Sequence, residues 1–315
     1  MSLNENWLMN IFKDSNDNMW LASYGGGLNK YSPLTSLIHH GLTAKGNTSF
    51  RVESFAETSD GSIWISTEKQ GLFKVNKNKQ IEKIEVSLKE NIRQVLAGKD
   101  NKLWFYTEND RLYSYTLSSA KLAEHKKWHK EANYSVTKEI TIIGNNLWYI
   151  NNNTSLITYN TKTQNFVNYV IPGSVTIKNI QKGVDDNLWL ISSKNQLIKF
   201  DVVKGSFQET NIKLPSNYKN VQDINLKTSK NWFWLGFGSQ GVALIDRHTN
   251  KIELFNTENI LRDNHISSIQ IDSKENAWLA TNTGITVITP KTQAAIHFDK
   301  DFNIVNSEFH KYVSL

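Results

Sequence analysis

Residues 52–75 read VESFAETSDGSIWISTEKQGLFKV. Three short β-prone runs, VESFAE, IWIST and LFKV, are separated by TSDGS and EKQG. Apolar runs of this length between Asp/Gly/Ser clusters predict three strands joined by tight turns. The same phrase returns around Trp20 (LMNIFKD, SNDN, MWLAS, YGGG, LNKY) and around Trp278 (ISSIQID, SKEN, AWLAT, NTG, ITVIT). Its tryptophan recurs at Trp20, Trp64, Trp104, Trp148, Trp189, Trp234 and Trp278, at gaps of 44, 40, 44, 41, 45 and 44 residues. A period of about 40–45 residues with an aromatic anchor marks a propeller, one blade per repeat. A fourth, weaker strand closes the unit, as in SLIHH at 36–40, NFVNYV at 165–170 and AAIHF at 294–298.

The expected fold is therefore all-β: a seven-bladed β-propeller with four antiparallel strands per blade, spanning 7–300. Residues 1–6 read as an expression leader (Met-Ser-Leu) and lead-in, and 301–315 as a closing strand or the start of a following segment. Because 8–14 open blade one and 294–298 end blade seven, every blade comes from one repeat. A large ring once per blade at one phase fills the wedge between blades, so the seven indoles are read as structural. The first hairpin turn of each repeat is Asn/Asp/Gly-rich: Asp60-Gly61, Asp100-Asn101, Asn145-Asn146, Asp186-Asn187 and Glu275-Asn276. These residues tolerate the positive φ that short hairpins require. Runs such as SDGSIW also resemble the Asp-box of sialidase-type propellers, but a plain hairpin turn accounts for them.

Composition narrows the function. There are 36 basic and 30 acidic residues and no cysteine, so thiolate metal sites and disulfides are ruled out. The basic residues are mostly single lysines, with arginine only at Arg51, Arg93, Arg111, Arg247 and Arg262. No clustered basic face with interleaved aromatics is present, which argues against a nucleic-acid partner. No run approaches the 18 apolar residues of a membrane span. One helical candidate, 119–131 (SAKLAEHKKWHKE), overlaps the expected fourth strand of blade three.

The consensus V-x-x-I-x-x-D-x-x-G-x-[LI]-W-[IL]-x-[TS]-x-x-G-[LI]-x-x-[YF], best copied at 52–75, 8–31 and 266–287, resembles the two-component regulator propeller repeat. The segment NSEF, Asn306 to Phe309, is similar to one that often follows the last repeat in that family. The resemblance implies the periplasmic sensor region of a membrane-bound bacterial signalling protein. In such proteins, paired propellers and an Ig-like domain precede a transmembrane helix and a histidine kinase or diguanylate cyclase. Many members are associated with carbohydrate sensing. The implied partners are a small polar ligand, an oligosaccharide among them, and a second receptor chain in a homodimer; the membrane is reached only through other parts of the parent. Repeats three, four and five depart from the consensus by replacing the glycine before the third strand (Asn109-Asp110-Arg111, Asn152-Asn153-Thr154, Lys194-Asn195-Gln196).

A binding site is expected on the face carrying the loops into the first strands and the loops between second and third strands. The two residues between the apolar positions of each first strand are Met9-Asn10, Glu53-Ser54, Arg93-Gln94, Lys138-Glu139, Lys178-Asn179, Gln222-Asp223 and Ser267-Ser268. Convergent polar groups in a concave site suit a small ligand, although polar residues line any solvated channel. Within the set, Arg93, Lys138 and Lys178, with Arg51 leading into blade two, form a basic arc suited to a carboxylate or sulfate. Glu53 and Asp223 are placed to neutralise it. Tyr24 and Phe237 follow their second strands and suit stacking on sugar rings, and His265 leads into blade seven at the same mouth.

Two further readings stand beside sensing: a protein-interaction or dimerisation scaffold, and a metal-dependent lyase or hydrolase. A sialidase would need an arginine triad. Streptogramin-lyase-type propellers have a similar Trp-bearing repeat and use a metal with His and Glu, whereas the eight histidines here are dispersed. His125 and His129 have i, i+4 spacing but lack the acidic helper of H-E-x-x-H. No catalytic residue, metal or cofactor is assigned.

Overall fold

The computed structural model describes residues 3, 5–24, 26–32, 37–40, 51–76, 78, 80–99, 101–125, 128, 140–214 and 224–298. These form seven four-stranded antiparallel sheets, each built from four consecutive strands in the order first, second, third, fourth. The fold is a β-propeller of seven blades, one per repeat, and no strand is exchanged between repeats. None of the helices among the described residues is long and apolar enough to cross a membrane.

By compactness the chain divides into two units. One comprises residues 1–52 and 214–315, which hold blades one, six and seven; the other is residues 53–213, blades two to five. In the second unit, Trp64 packs among Val95, Leu103 and Phe105 of blade three. Trp104 packs against Leu147 and Tyr149 of blade four, and Trp148 against Leu188, Leu190 and Phe200 of blade five. In the first unit, Trp234 reaches Ile269 and Leu279 of blade seven. Trp278 in turn reaches Leu8, Ile11 and Leu21 of blade one, with the Tyr31 ring 4.8 Å away. Each of these indoles is therefore a wedge driven into the following blade, and all seven repeat tryptophans are at most 6% exposed. Filling such a gap with one large ring avoids the voids that destabilise cores.

In blades one, two and seven the first hairpin supplies the indole with a polar partner. In blade one the buried Asp14 carboxylate accepts from the Asn16 and Asn18 N–H groups at 3.0 and 2.9 Å, and from Trp20 Nε1 at 2.9 Å. Blade seven repeats this with Asp272, which accepts from Lys274 and Asn276 N–H (both 2.9 Å) and Trp278 Nε1 (3.1 Å). In blade two Thr58 holds the place, its hydroxyl 3.3 Å from Trp64 Nε1. Blade five has Gly183 there, where a Cβ would stand 2.4 Å from Asp185 Oδ1 and 2.8 Å from the Trp189 ring.

The turn residues take positive φ as expected at Gly61, Asn101, Asp186 and Glu275; Asp100 lies outside the described residues. Blade four is a correction. Its ladder closes at Ile143↔Asn146, so the turn is Gly144-Asn145, with Gly144 at φ 64°, and Asn146 already belongs to the second strand. The helical candidate is corrected over 121–124. Lys121–Glu124 is the fourth strand of blade three, laddered from Thr116↔Lys121 to Tyr113↔Glu124. Tertiary pairing overrides the helix propensity of these residues. The rest of the candidate after His125 lies outside the described residues, Trp128 excepted, as do residues 301–315 with the NSEF segment.

Removing the Asp272 carboxylate leaves the indole N–H and two turn amides without their charged acceptor. Asp272→Ala is expected to lower the unfolding free energy by about 2–3 kcal/mol, read by urea denaturation, with no change in far-ultraviolet dichroism of the folded form.

Candidate functional site

A first strand is a sheet edge, and its outward N–H and C=O groups need partners. The polar residues expected to face a ligand turn out to supply many of them. Gln94 brackets the Ile140 backbone of blade four, donating to its carbonyl at 2.8 Å and accepting from its N–H at 2.9 Å. Ser54 accepts from Val95 N–H of blade three at 3.1 Å. Asn225 donates to the Ile266 and Ser267 carbonyls of blade seven at 3.2 and 3.1 Å, and Ser268 to Asn10 Oδ1 of blade one at 3.0 Å. These second positions stitch neighbouring blades together.

Asn225 also corrects the assignment in blade six. Asn10, Gln94, Asn179 and Ser268 each pair with the residue two beyond their blade's tryptophan, and so does Asn225, opposite Gly236. By that pairing the aligned pair in blade six is Ile224-Asn225 rather than Gln222-Asp223. Asp223 and Lys138 lie outside the described residues.

The first position of the pair behaves differently. In blade three the ladder passes from Gln94↔Tyr106 to Ile92↔Thr107, and in blade five from Asn179↔Ile191 to Ile177↔Ser192. Arg93 and Lys178 are thus the extra residues of β-bulges, which re-aim a side chain away from the regular ladder. Met9 occupies the same bulge in blade one. Arg93 is exposed, and its charge acts on the neighbouring Glu108 carboxyl. That group is held below the usual range first by the Asn91 backbone and side chain, and further by Arg93. Lys178 is half-buried and donates to Asn195 Oδ1 at 3.0 Å; desolvation pulls its ammonium below the usual lysine range. Glu53 and Arg51 are half-buried in and before the first strand of blade two.

The loops of the departing repeats keep a left-handed residue without glycine. Asp110 and Asn195 take φ of 58° and 59°, where Gly27, Gly71 and Gly241 serve in blades one, two and six. In blade three a residue that the motif does not flag holds this loop. Glu90 accepts from the Thr107 hydroxyl (2.7 Å), Asn109 Nδ2 (3.0 Å) and the Tyr113 hydroxyl (2.9 Å), with Arg111 at 3.6 Å. Burial alone would raise the Glu90 carboxyl, but these hydrogen bonds and the Arg111 charge outweigh it and hold the group low. No repeat position announces this role.

In the unit of blades one, six and seven, Phe237 is a correction. It is fully buried as the last residue of a second strand whose final five residues are all buried, so it cannot stack on a ligand. Tyr24 is 49% exposed and stacks on Trp7, itself 47% exposed, with ring centroids 4.6 Å apart. The Tyr24 N–H donates to the Trp7 carbonyl at 2.8 Å, fixing the pair. Trp7 was readable as a tryptophan outside the repeat phase. His265 is half-buried, its N–H bonded to Asp263 Oδ1 at 2.9 Å, while Asp263 Oδ2 takes the Asn282 N–H at 2.9 Å. At the opposite end of the strands, the described residues of blades seven and one line a cavity of about 760 Å³. Its floor is Tyr31, Trp278, Val287 and Phe298, and Asp17 and Lys274 lie at its turns. The motif reading pointed to the other face.

The His125 ring is engaged by its own surroundings. Its Nε2 lies 2.9 Å from Ser114 Oγ, its Nδ1 lies 3.2 Å from Tyr159 Oη, and its ring is 4.6 Å from that of Trp104. His129 lies outside the described residues. Among the described residues no group of three His, Asp or Glu side chains is arranged to hold a metal.

No protein-family model and no curated protein sequence matches this chain. Solved structures do. The extracellular domain of BT4673 from B. thetaiotaomicron, described as a one component system, superposes with a TM-score of 0.71 at 19% identity, over 91% of this chain and 39% of that one. The extracellular domain of BT3049 from the same organism, described as a hybrid two component system, gives 0.67 at 19% identity, over 90% and 40%. Virginiamycin B lyase from Staphylococcus aureus gives 0.66 at 18% identity, over 90% and 94%. At these identities the likeness shows the propeller fold. The chain spans about two fifths of the two extracellular domains it matches.

Burial, then the charge of Lys102, depresses the His125 pKa. The unfolded chain takes up a proton near pH 6.5 that the folded blade resists, so stability is full above that pH and falls as the medium is acidified. Denaturant midpoints measured from pH 7.5 down to pH 5 are expected to decline in the wild type and to flatten over that window in His125→Gln.

Proposed function

We propose that this chain is a non-catalytic, ligand-sensing domain of a bacterial membrane-bound signalling receptor, positioned in the periplasm. It binds a carbohydrate or another small polar ligand on its loop face and passes the signal to a kinase or cyclase output. The observation that carries this reading is the pair of β-bulges that turn Arg93 and Lys178 out of their ladders while the neighbouring Gln94 is committed to blade packing. A cation kept partly desolvated, as Lys178 is, gains when an anionic or strongly polar ligand group arrives. The exposed Trp7–Tyr24 stack supports the same reading, since an aromatic face takes the apolar side of a sugar ring. The fold shared with the extracellular domains of a one component and a hybrid two component system of B. thetaiotaomicron fits it as well. Coupling to an output requires that the ligand prefer one arrangement of the receptor over another.

A scaffold role is the second reading, favoured by exposed valines in blades four and five. A thermal-shift screen against neutral oligosaccharides and anionic glycans separates the two. Saturable stabilisation by a glycan is expected, with Arg93→Ala or Lys178→Ala weakening it at least tenfold, about 1.4 kcal/mol, at unchanged melting temperature of the free protein. Binding that persists unaltered in both variants rules out this site. Turnover of a glycan or lactone that chelation abolishes would instead make the chain an enzyme.

A further inference from the structure

The fourth strand of a blade presents an unpaired ladder edge, and proteins usually guard such edges with charge. Six of the seven fourth strands here carry an acidic, lysine or histidine side chain. The fourth strand of blade four, Phe166–Val170, reads FVNYV and carries none. Its flanking bonds, Asn160 N–H to the Asn165 carbonyl and Ile171 N–H to the Thr154 carbonyl, fix which backbone groups face inward. By antiparallel alternation, Val167 and Tyr169 bond to the third strand, and Phe166, Asn168 and Val170 direct their N–H and C=O groups outward.

Exposed apolar side chains occur on this strand and in blade five. Val167 and Val170 are 47% and 76% exposed, and Val184 and Val203 of blade five are 62% and 95% exposed. The Tyr169 ring lies against Gly205, two residues from Val203. These four make up all the large apolar side chains exposed among the described residues apart from the Trp7–Tyr24 pair.

We propose that Phe166–Val170 is a self-pairing edge through which two copies of this chain join antiparallel about a two-fold axis at Asn168. In that register Phe166 stands opposite Val170 of the second copy, and Val167 opposite its Tyr169, so every pair beyond the central one couples apolar side chains. The three outward-facing residues are those that this register hydrogen-bonds: Asn168 exchanges both bonds with its counterpart, and Phe166 does so with Val170. A second copy is the partner selected because the strand is self-complementary about Asn168. An isologous contact sets residue i against j and j against i. Here both flanking pairs are apolar and only Asn168 meets its own image, where a charge would repel itself. This strand has no such charge. The proposal is independent of the ligand-binding reading.

Sedimentation velocity across the micromolar range, with ligand absent, tests it. A reversible monomer–dimer equilibrium is expected. Asn168→Asp and Asn168→Lys should each weaken it at least tenfold by placing like charges opposite one another. An equimolar mixture of the two variants should recover a heterodimer. Asn168 is exposed, so both variants should keep the wild-type melting temperature. A wild-type chain that stays monomeric throughout, or a dimer indifferent to both variants, overturns the proposal and leaves the ligand site untouched.

Discussion

One buried indole per blade is the constraint on which the rest of this structure depends. Sheets stacked face to face at an angle leave a wedge that small side chains cannot fill, and a void there forfeits dispersion contacts on both walls. Trp64, Trp104, Trp148, Trp234 and Trp278 each close that wedge against the following blade. The indole brings an N–H into the core, and the hairpin turn answers it where it can. Asp14 and Asp272 cap the turn amides and the indole together, so turn and wedge form one unit. A carboxylate six residues before the tryptophan thus has a packing role.

A second constraint follows from stacking sheets that share no strands. Each first strand keeps an unpaired edge, and its amides must find partners away from its own sheet. Side chains of Gln94, Ser54 and Asn225 provide or receive such backbone bonds across blade boundaries, and Ser268 links to the Asn10 side chain. A row of polar residues on first strands therefore serves the architecture before it serves any ligand. What escapes this commitment is the bulged residue beside it. An extra residue in a ladder has no opposite residue on the partner strand, so the bulge re-aims its side chain. Arg93 and Lys178 hold that position, and the candidate site rests on them rather than on the whole polar row.

The exposed aromatic pair shows how placement at a strand end decides a residue's role. Tyr24 and Phe237 both sit close behind a second strand's tryptophan and look equivalent in the motif. Phe237 still belongs to the ladder, opposite Ile224, and is buried; Tyr24 lies one residue past its strand and rests on Trp7 in solvent. A single residue of strand length separates a core side chain from a surface one. The pairing in blade six shifts in the same way, placing the inner pair at Ile224-Asn225.

Blade number, strand order and the inward phase of the seven tryptophans were determined by the sequence alone, because a repeat of fixed period with alternating apolar residues admits one way of burying its rings. The Asn/Asp/Gly turns were legible for the same local reason: positive φ selects those residues wherever a short hairpin is needed. Tertiary structure alone decided which polar residues are spent between blades, which are lifted out by a bulge, and that Glu90 gathers Thr107, Asn109 and Tyr113 around one carboxylate. These outcomes depend on contacts between segments far apart in the chain and on one-residue register shifts, and neither leaves a periodic trace for composition or spacing to report.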